Sequence, residues 1–332
     1  MESSGLNDLE GKEILITGGA GMIGSTIANL AVSLGAKVTI LDAMLPLYGG
    51  NRFNLEEIKD DIVFIEGDIR DFELMQKVVA GKKVIFDLAA QVSYMDSITQ
   101  PFLDLDVNCR GHLNVLEACQ LHNREAKIIF SSSRFVYGSI EYNPVDERHP
   151  FNCLSIYGIH KLTAEKYFIF YHHYYGIPTV IFRIANPFGP RQQMKHSRYG
   201  ILNWFIKLAL EGKELTIYGE GEQVRDYIYV TDVADAMLRA AIHESLKHDV
   251  FNLGMGIGTP FKEMVRKVAS FLPNAKVVHM EWPKKSAFVE TGDYITDINK
   301  VSRRLSWKPQ VSFEEGIERT IRYYQKYKDK YW

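Results

Sequence analysis

The 332-residue sequence has little cysteine, little net charge and no long apolar run, and each shortage removes a class of function. Its three cysteines, Cys109, Cys119 and Cys153, leave one unpaired in any disulfide scheme and form no Cys-x-x-Cys spacing. Reduced, buried thiols are therefore expected in place of a disulfide framework or a thiolate metal centre. The ten histidines are scattered, with no second ligand cluster beside His149 or the His172–His173 pair, so no metal is expected. A formal net charge of −2 supplies no overall attraction to nucleic acid or to an anionic membrane, and neither is expected as a partner. Residues 1–12, MESSGLNDLEGK, lack the basic and apolar regions of a signal peptide. No later run reaches the roughly 18 uncharged apolar residues that would span a bilayer. A cytoplasmic location is the expectation. Internal repeats, low-complexity tracts and Pro/Gly/Ser-rich linkers are missing too.

What is present is a globular composition, 46% hydrophobic and 24% charged, in a chain long enough for one large domain or two unequal lobes. The runs EILITGG (13–19), KVTILD (37–42), IVFIEGD (62–68), KVIFDLAA (83–90), AKIIFSSS (126–133) and PTVIFRIAN (178–186) read as buried parallel strands. Helical stretches fall between them, at 22–34 with Gly35 closing it, at 102–122, and around the aromatic-rich segment before residue 176. Strand and helix in alternation predict a doubly wound α/β parallel sheet of Rossmann type. Beyond about residue 187 the pattern loosens into helices near 200–211, 231–243, 260–271 and 312–328, separated by short strands. The expected division is a dinucleotide-binding domain over 1–186, with a strand and helix returning from about 226–255. A smaller C-terminal lobe over 187–332 would pack on the carboxyl ends of the strands, where open α/β sheets bind ligands.

ITGGAGMIG (16–24) follows the first strand and opens the first helix. Gly18, Gly21 and Gly24 allow a tight turn, close approach of backbone to a pyrophosphate and close packing of helix on strand, while the amides of Met22 and Ile23 stand at the helix N-terminus. Asp42 ends the second strand 18 residues after Gly24, where a carboxylate accepts hydrogen bonds from an adenosine ribose and repels a 2′-phosphate. NAD is therefore the expected cofactor. The plainer reading of Asp42 is a strand-end turn residue. Asp68, with Ile69 after it, is a candidate adenine contact, a turn cap being the alternative. Leu88, Ala89 and Ala90 end the fourth strand with mostly small residues beside which a cofactor can lie.

SIYGIHK (155–161) sets Tyr157 and Lys161 one helical turn apart, a spacing that also arises on solvated helix faces and decides nothing alone. Taken in order with TGGAGMIG, GDIRD, FSSSRFVYG, RIANPFGPR, VRDYIYVTDVADA and LSWKP, however, it resembles the extended short-chain dehydrogenase/reductase family of nucleotide-sugar epimerases and dehydratases, from about residue 10 to about residue 325. The resemblance implies a catalytic set of Ser133, Tyr157 and Lys161. Ser133 would hydrogen-bond the reacting sugar oxygen, and Tyr157 would act as a general acid/base, partly ionised near neutral pH. Lys161 would favour the phenolate and hold the nicotinamide ribose. It further implies a nucleotide-diphosphate sugar as partner, with Asn186 and Arg225 on its phosphates; an ion pair of Arg225 with Asp226 is the plainer alternative.

In the family's 4,6-dehydratases an Asp-Glu pair follows the serine or threonine, and here Arg134 and Phe135 stand there. The resemblance then points to epimerisation, most often at C4 through a transient 4-keto sugar. The other readings are a nucleotide-sugar dehydrogenase or keto-reductase, a dehydratase, or a catalytically silent NAD-binding regulatory module. His160 replaces the usual small or hydroxyl residue before the lysine and faces away from Tyr157. Glu290, in VETGD (289–293), replaces a diphosphate-clamp arginine, and Lys284, Lys285, Arg191 or Arg198 would have to compensate. Arg134 beside the catalytic serine suits either a carboxylated sugar or a nearby acidic side chain. EKYFIFYHHYY (165–175) carries aromatics around a whole helix, which implies burial on more than one side, and the family's helix-bundle interface makes a homodimer the expectation.

Overall fold

The computed structural model describes residues 7–281 and 292–332. Its first half runs β1 (Glu13–Thr17), α1 (Met22–Ser33), β2 (Lys37–Asp42), β3 (Ile62–Glu66), α2 (Phe72–Val78), β4 (Val84–Asp87), α3 (Tyr94–Thr99), α4 (Pro101–Leu105), α5 (His112–His122), β5 (Lys127–Ser133), α6 (Ile156–Tyr175) and β6 (Thr179–Ile184). The second continues with β7 (Asn186–Phe188), α7 (Ile201–Leu210), β8 (Glu214–Tyr218), β9 (Val224–Tyr229), α8 (Val230–Ile242), β10 (His248–Leu253), β11 (Gly258–Pro260), α9 (Phe261–Ser270), β12 (Lys276–Met280), α10 (Asn299–Leu305) and α11 (Phe313–Tyr327).

Seven strands form one parallel sheet in the order β10-β6-β5-β4-β1-β2-β3. The strands lack polar alternation because both faces are covered. Ile14, Ile16, Val84, Phe86, Val180 and Phe182 point into a core with α1 and α8, while Leu15, Ile85, Ile128, Phe130 and Ile181 point into a second core with α2, α5 and α6. The predicted doubly wound Rossmann sheet is what forms. Its strand order reverses between β1 and β4, which opens a crevice at their carboxyl ends.

A third core, built on Phe188, Phe205, Tyr227, Met264, Ile317 and Tyr324, belongs to the second lobe, whose sheets are β11-β9-β7 and the parallel pair β12-β8. In the segment that returns from this lobe, β9 stays with the small sheet, whereas α8 packs on α1 and β10 pairs with β6 at the edge of the large one.

Two expectations need correction. Residues 102–122 do not form one helix: a π-helical turn over Asp106–Gly111 separates α4 from α5. Gly111 comes so close to Ile69 that a Cβ would lie 2.4 Å from its Cδ1, and Asn108 Nδ2 reaches the Gln91 carbonyl at 2.9 Å. Tertiary contacts that local periodicity does not carry thus set the break. Nor are all the histidines scattered, because the His248 ring stacks on His172 at 4.7 Å and meets His173 edge-on at 4.7 Å. Among the described residues no group of three or more potential ligands is placed to hold a metal ion.

Candidate active site

A cavity of about 770 Å³ lies between the sheet's carboxyl edge and the second lobe. It is lined by the catalytic, cofactor-binding and phosphate-contacting residues expected from the sequence: Gly18, Gly21, Met22, Ile23, Asp42, Asp68, Ile69, Leu88, Ala89, Ala90, Ser133, Tyr157, Lys161, Asn186 and Arg225.

The turn after β1 shapes one end. Gly18 has φ of +65°, and a Cβ there would lie 2.8 Å from the Ala89 backbone; at Gly24 it would lie 2.5 Å from the Gly18 carbonyl oxygen. At Gly21, the residue that caps α1 without a side-chain bond, the nearest atom is 3.3 Å away. The helix amides therefore open onto the cavity, and the cradle fits a dinucleotide pyrophosphate. Asp42 accepts hydrogen bonds from Ala20 N at 3.0 Å and Met44 N at 2.9 Å, leaving acceptor capacity for a ribose. Burial raises its pKa against the lowering by these amides. Asp68 grips Arg70, with Nη2 to Oδ2 at 2.6 Å; burial works against the charged form, but the Arg70 bonds prevail and hold the carboxyl below its usual range.

Sequence reasoning missed the brace beneath this end. Thr17 Oγ1 donates to Asp87 Oδ1 at 2.8 Å and accepts from the amides of Leu88 and Ala89 at 3.0 and 3.2 Å, which seats β4's end against the glycine turn. The other Asp87 oxygen lies 2.8 Å from Nδ1 of fully buried His112. His112 Nε2 has no partner and burial lowers the ring's pKa, so a neutral ring donates from Nδ1. Nothing local in the sequence marks Asp87 or His112 as partners in this brace.

The opposite wall carries the reactive hydroxyls. Ser133 ends β5 and caps the short turn Arg134–Val136, its Oγ accepting from Phe135 N at 3.3 Å, and it lines the cavity with the Tyr157 phenol. Tyr157 sits in the first turn of α6, where Ser155 caps the helix through Gly158 N at 3.0 Å. Lys161 is buried and donates to the Ser131 carbonyl at 3.0 Å, 4.8 Å from the Phe130 ring centre.

The chain alone does not produce a partly ionised phenol. Burial pushes Tyr157 well above its ordinary range, Ser133 opposing and Asp104 adding to the rise. Burial also pushes the Lys161 ammonium down to about 8, against the nearby acids led by Asp87 and Asp104. Dry surroundings penalise both charged forms, and Nζ is turned to the β5 backbone instead of the phenol. His160 faces Asp104 instead, at 2.6 Å.

Toward the second lobe, Asn186 donates to the Asp226 carbonyl at 2.8 Å and accepts from Arg134 Nε at 3.3 Å. Arg225 Nη1 donates to the carbonyls of Val224 at 2.8 Å and Gly292 at 3.0 Å. Asp226 is fully buried, and its carboxylate takes the amides of Met255, Gly256 and Thr296 at 2.7, 3.0 and 3.0 Å. Of the cations considered as replacements in the clamp, Arg198 lines the cavity and bonds Asp96 at 3.0 Å, whereas Arg191 turns away toward Glu57. Glu290, Lys284 and Lys285 lie outside the described residues. Gln193, Tyr199 and Tyr218 also line the cavity and were not singled out from the sequence.

The GDP-mannose 4,6 dehydratase family model matches residues 15–320. A putative UDP-glucose 4-epimerase of Methanocaldococcus jannaschii is 34% identical over 309 residues, covering 93% of this chain and 97% of the relative. The crystal structure of UDP-glucose 4-epimerase from Thermotoga maritima, solved with UDP-glucose, superposes with a TM-score of 0.87 at 33% identity over 95% of this chain and 99% of that one. The Thermus thermophilus UDP-glucose 4-epimerase complex with NAD gives 0.83 at 31% identity over 94% and 99%. The match from the first strand to the last helix, on a fold that gathers the glycine turn and the Ser/Tyr/Lys set around one cavity, means that the chain belongs to the GDP-mannose 4,6 dehydratase family, among the extended short-chain dehydrogenase/reductases that act as nucleotide-sugar epimerases and dehydratases.

Proposed function

We propose that this chain is an NAD-dependent nucleotide-sugar epimerase that inverts C4 of the sugar through a transient 4-keto form. The observation that carries the reading is the Ser133–Tyr157 hydroxyl pair, with Lys161 one turn further along α6, opening on the same cavity as the glycine turn. Gly18, Gly21, Met22, Ile23, Asp42, Asp68, Ile69 and Leu88–Ala90 hold the dinucleotide. Asn186 and Arg225 hold the sugar nucleotide's phosphates; a guanidinium suits the task because its fork offers paired donors. Residues 1–186, with the segment returning from about 226–255, thus form the cofactor half, and most of 187–332 the substrate half.

When bound, NAD would supply the acceptor for the hydride on the sugar's C4 and the donor that returns it to the opposite face. Ser133 fixes the C4 oxygen against Tyr157. Tyr157 takes the hydroxyl proton on the way to the ketone and gives it back on return. Lys161 stabilises the phenolate once the cleft is filled and the phenol's surroundings are no longer only apolar. Arg134 and Phe135 provide no carboxylate at the positions after Ser133, which supports epimerisation over elimination.

We place the enzyme in the cytoplasm as a homodimer. All three cysteines are free thiols, and no helix of the described residues is long and apolar enough to cross a membrane. An exposed apolar face on α3, α4 and α6 offers the contact.

Incubation with UDP-, GDP-, CDP- and dTDP-sugars, followed by NMR, is expected to show inversion at one carbon without net reduction of NAD. Tyr157→Phe is expected to abolish turnover while NAD still binds. Retained turnover in that variant would remove Tyr157 from the mechanism.

A further inference from the structure

Tyr157 is the second residue of α6, so its amide belongs to the first turn, where no carbonyl within the helix is placed to accept. The cap residue Ser155 serves Gly158 N. The Tyr157 amide is met from outside the helix, by Ser97 Oγ of α3 at 3.1 Å. Ser97 is fully buried, and its own hydroxyl donates to the Tyr94 carbonyl at 2.6 Å, which leaves the oxygen's lone pairs to accept from α6.

The first turn of α6 thus rests on two supports. One is the turn after Ser133: Gly158 lies so close to it that a Cβ would come within 2.5 Å of the Phe135 carbonyl oxygen. The other is α3, which also reaches the phenol through its neighbours. The Tyr94 ring stacks on Phe135 at 5.2 Å between centres, and Phe135 meets the Tyr157 ring edge-on at 5.9 Å. α3 is itself anchored. Its cap Ser93 accepts from Asp96 N at 3.0 Å, and Asp96 Oδ1 receives Arg198 of the second lobe at 3.0 Å.

We propose, building on the reading of Tyr157 as the proton-transfer group, that Ser97 is a positioning residue for it. By holding the Tyr157 amide it fixes the first turn of α6, and with it the reach of the phenol toward the sugar hydroxyl beside Ser133. Alanine at 97 would leave a buried N–H without its acceptor, so that the turn is no longer held on the α3 side. A displacement of about 1 Å at a reacting group can cost roughly 100-fold in rate, which is the scale on which one such bond matters.

The test compares Ser97→Ala, loaded with NAD, with Ser312→Ala, in which α11 loses the cap that accepts from Glu315 N at 3.2 Å. Each variant removes one side-chain acceptor from a helix amide, but only the first touches Tyr157. For whichever of the UDP-, GDP-, CDP- or dTDP-sugars the wild type inverts, Ser97→Ala is expected to lower kcat roughly 10- to 100-fold with KM and NAD content held. Ser312→Ala should keep its kcat. Ser97→Cys, with a weaker acceptor, should fall between wild type and Ser97→Ala. A second readout needs no turnover: with the tyrosines replaced by 3-fluorotyrosine, the fluorine resonance that Tyr157→Phe removes reports the phenol itself. It is expected to move in Ser97→Ala and to stay in Ser312→Ala. An unchanged kcat, an equal fall in Ser312→Ala, or an unmoved Tyr157 resonance overturns the proposal. If the wild type inverts no sugar, the epimerase reading falls by itself and the resonance alone decides: movement upholds Ser97 as the residue that sets Tyr157, and none overturns it.

Discussion

At the scale of single residues, Lys161 sets chemistry against stability. Its ammonium is 1% exposed, and burial pushes its pKa down to about 8, whereas in the unfolded chain a lysine titrates near 10.4. Between those values the unfolded chain holds more protons, so this site's contribution to stability rises as pH climbs from about 8. Below that point both states are protonated and the whole desolvation cost remains. Lys161→Met is therefore expected to lose turnover yet gain roughly 1 to 4 kcal/mol of stability at pH 7 without ligand. The gain should shrink toward about pH 10. Lys127, pushed to about 8 by its own burial, is present in both proteins and cancels in the comparison. Urea unfolding of the two at pH 7 and about pH 9.5 measures the effect; a less stable variant at pH 7 would mean that the Ser131 carbonyl and Phe130 ring outweigh the burial. Tyr157, Lys161 and Ser133 could be named from sequence because they fall in ordered motifs that resemble a known family, where the four-residue spacing of Tyr157 and Lys161 alone decided nothing. The Thr17–Asp87–His112 brace could not, since its members stand 70 and 25 residues apart and meet only in the folded sheet.

Among elements, the register of α6 against β5 decides whether the hydroxyls meet. Glu165, one turn beyond Lys161, accepts from Ser132 Oγ and receives Arg183 of β6 through Nη2 at 2.7 Å and Nε at 3.0 Å, both side chains almost wholly buried. Arg183 passes the chain of bonds to the Tyr137 hydroxyl at 2.9 Å, which donates to Asn252 Oδ1 of β10 at 2.6 Å. One carboxylate thus ties α6 to β5 and β6, and through Tyr137 to β10. Glu165→Gln leaves a buried guanidinium without its counter-charge and is expected to cost about 3–5 kcal/mol. The double change Glu165→Leu, Arg183→Met should recover most of that loss, a coupling that urea unfolding of the full mutant cycle would measure. A single variant within about 1 kcal/mol of wild type would show that the clamp is dispensable. The six strands were legible because parallel strands buried on both faces need unbroken β-branched runs. The π-helical turn was not, as its cause lies in Ile69 and Gln91, outside the helix it interrupts.

For the whole molecule, the second lobe was harder to read because its strands are short and their partners distant, as where β12 pairs with β8 some 60 residues earlier. The same scale leaves one surface to account for. Phe102 is 79% exposed and Tyr174 72%, and with Ile98, Ile159 and Phe170 they stud the outer faces of α3, α4 and α6. On α6 the exposed positions Ile159, Lys166, Phe170 and Tyr174 recur at intervals of seven, four and four, which makes one stripe along the helix. Apolar side chains concentrated in this way mark a protein interface, and a second copy offering the same face would close it by two-fold symmetry. Light scattering should then give the native protein twice the 38.0 kDa chain mass. Phe102→Glu with Ile159→Glu sets like charges against each other across such a contact and is expected to yield a monomer. Its melting temperature should lose the dependence on protein concentration expected of a native dimer. A native protein that runs as a single chain at micromolar concentration would end the dimer reading. Because α3 and α6 supply both this face and residues of the cavity, Tyr157 among them, the monomer is also expected to turn over more slowly than the dimer, with its NAD affinity reporting how far the cleft has loosened.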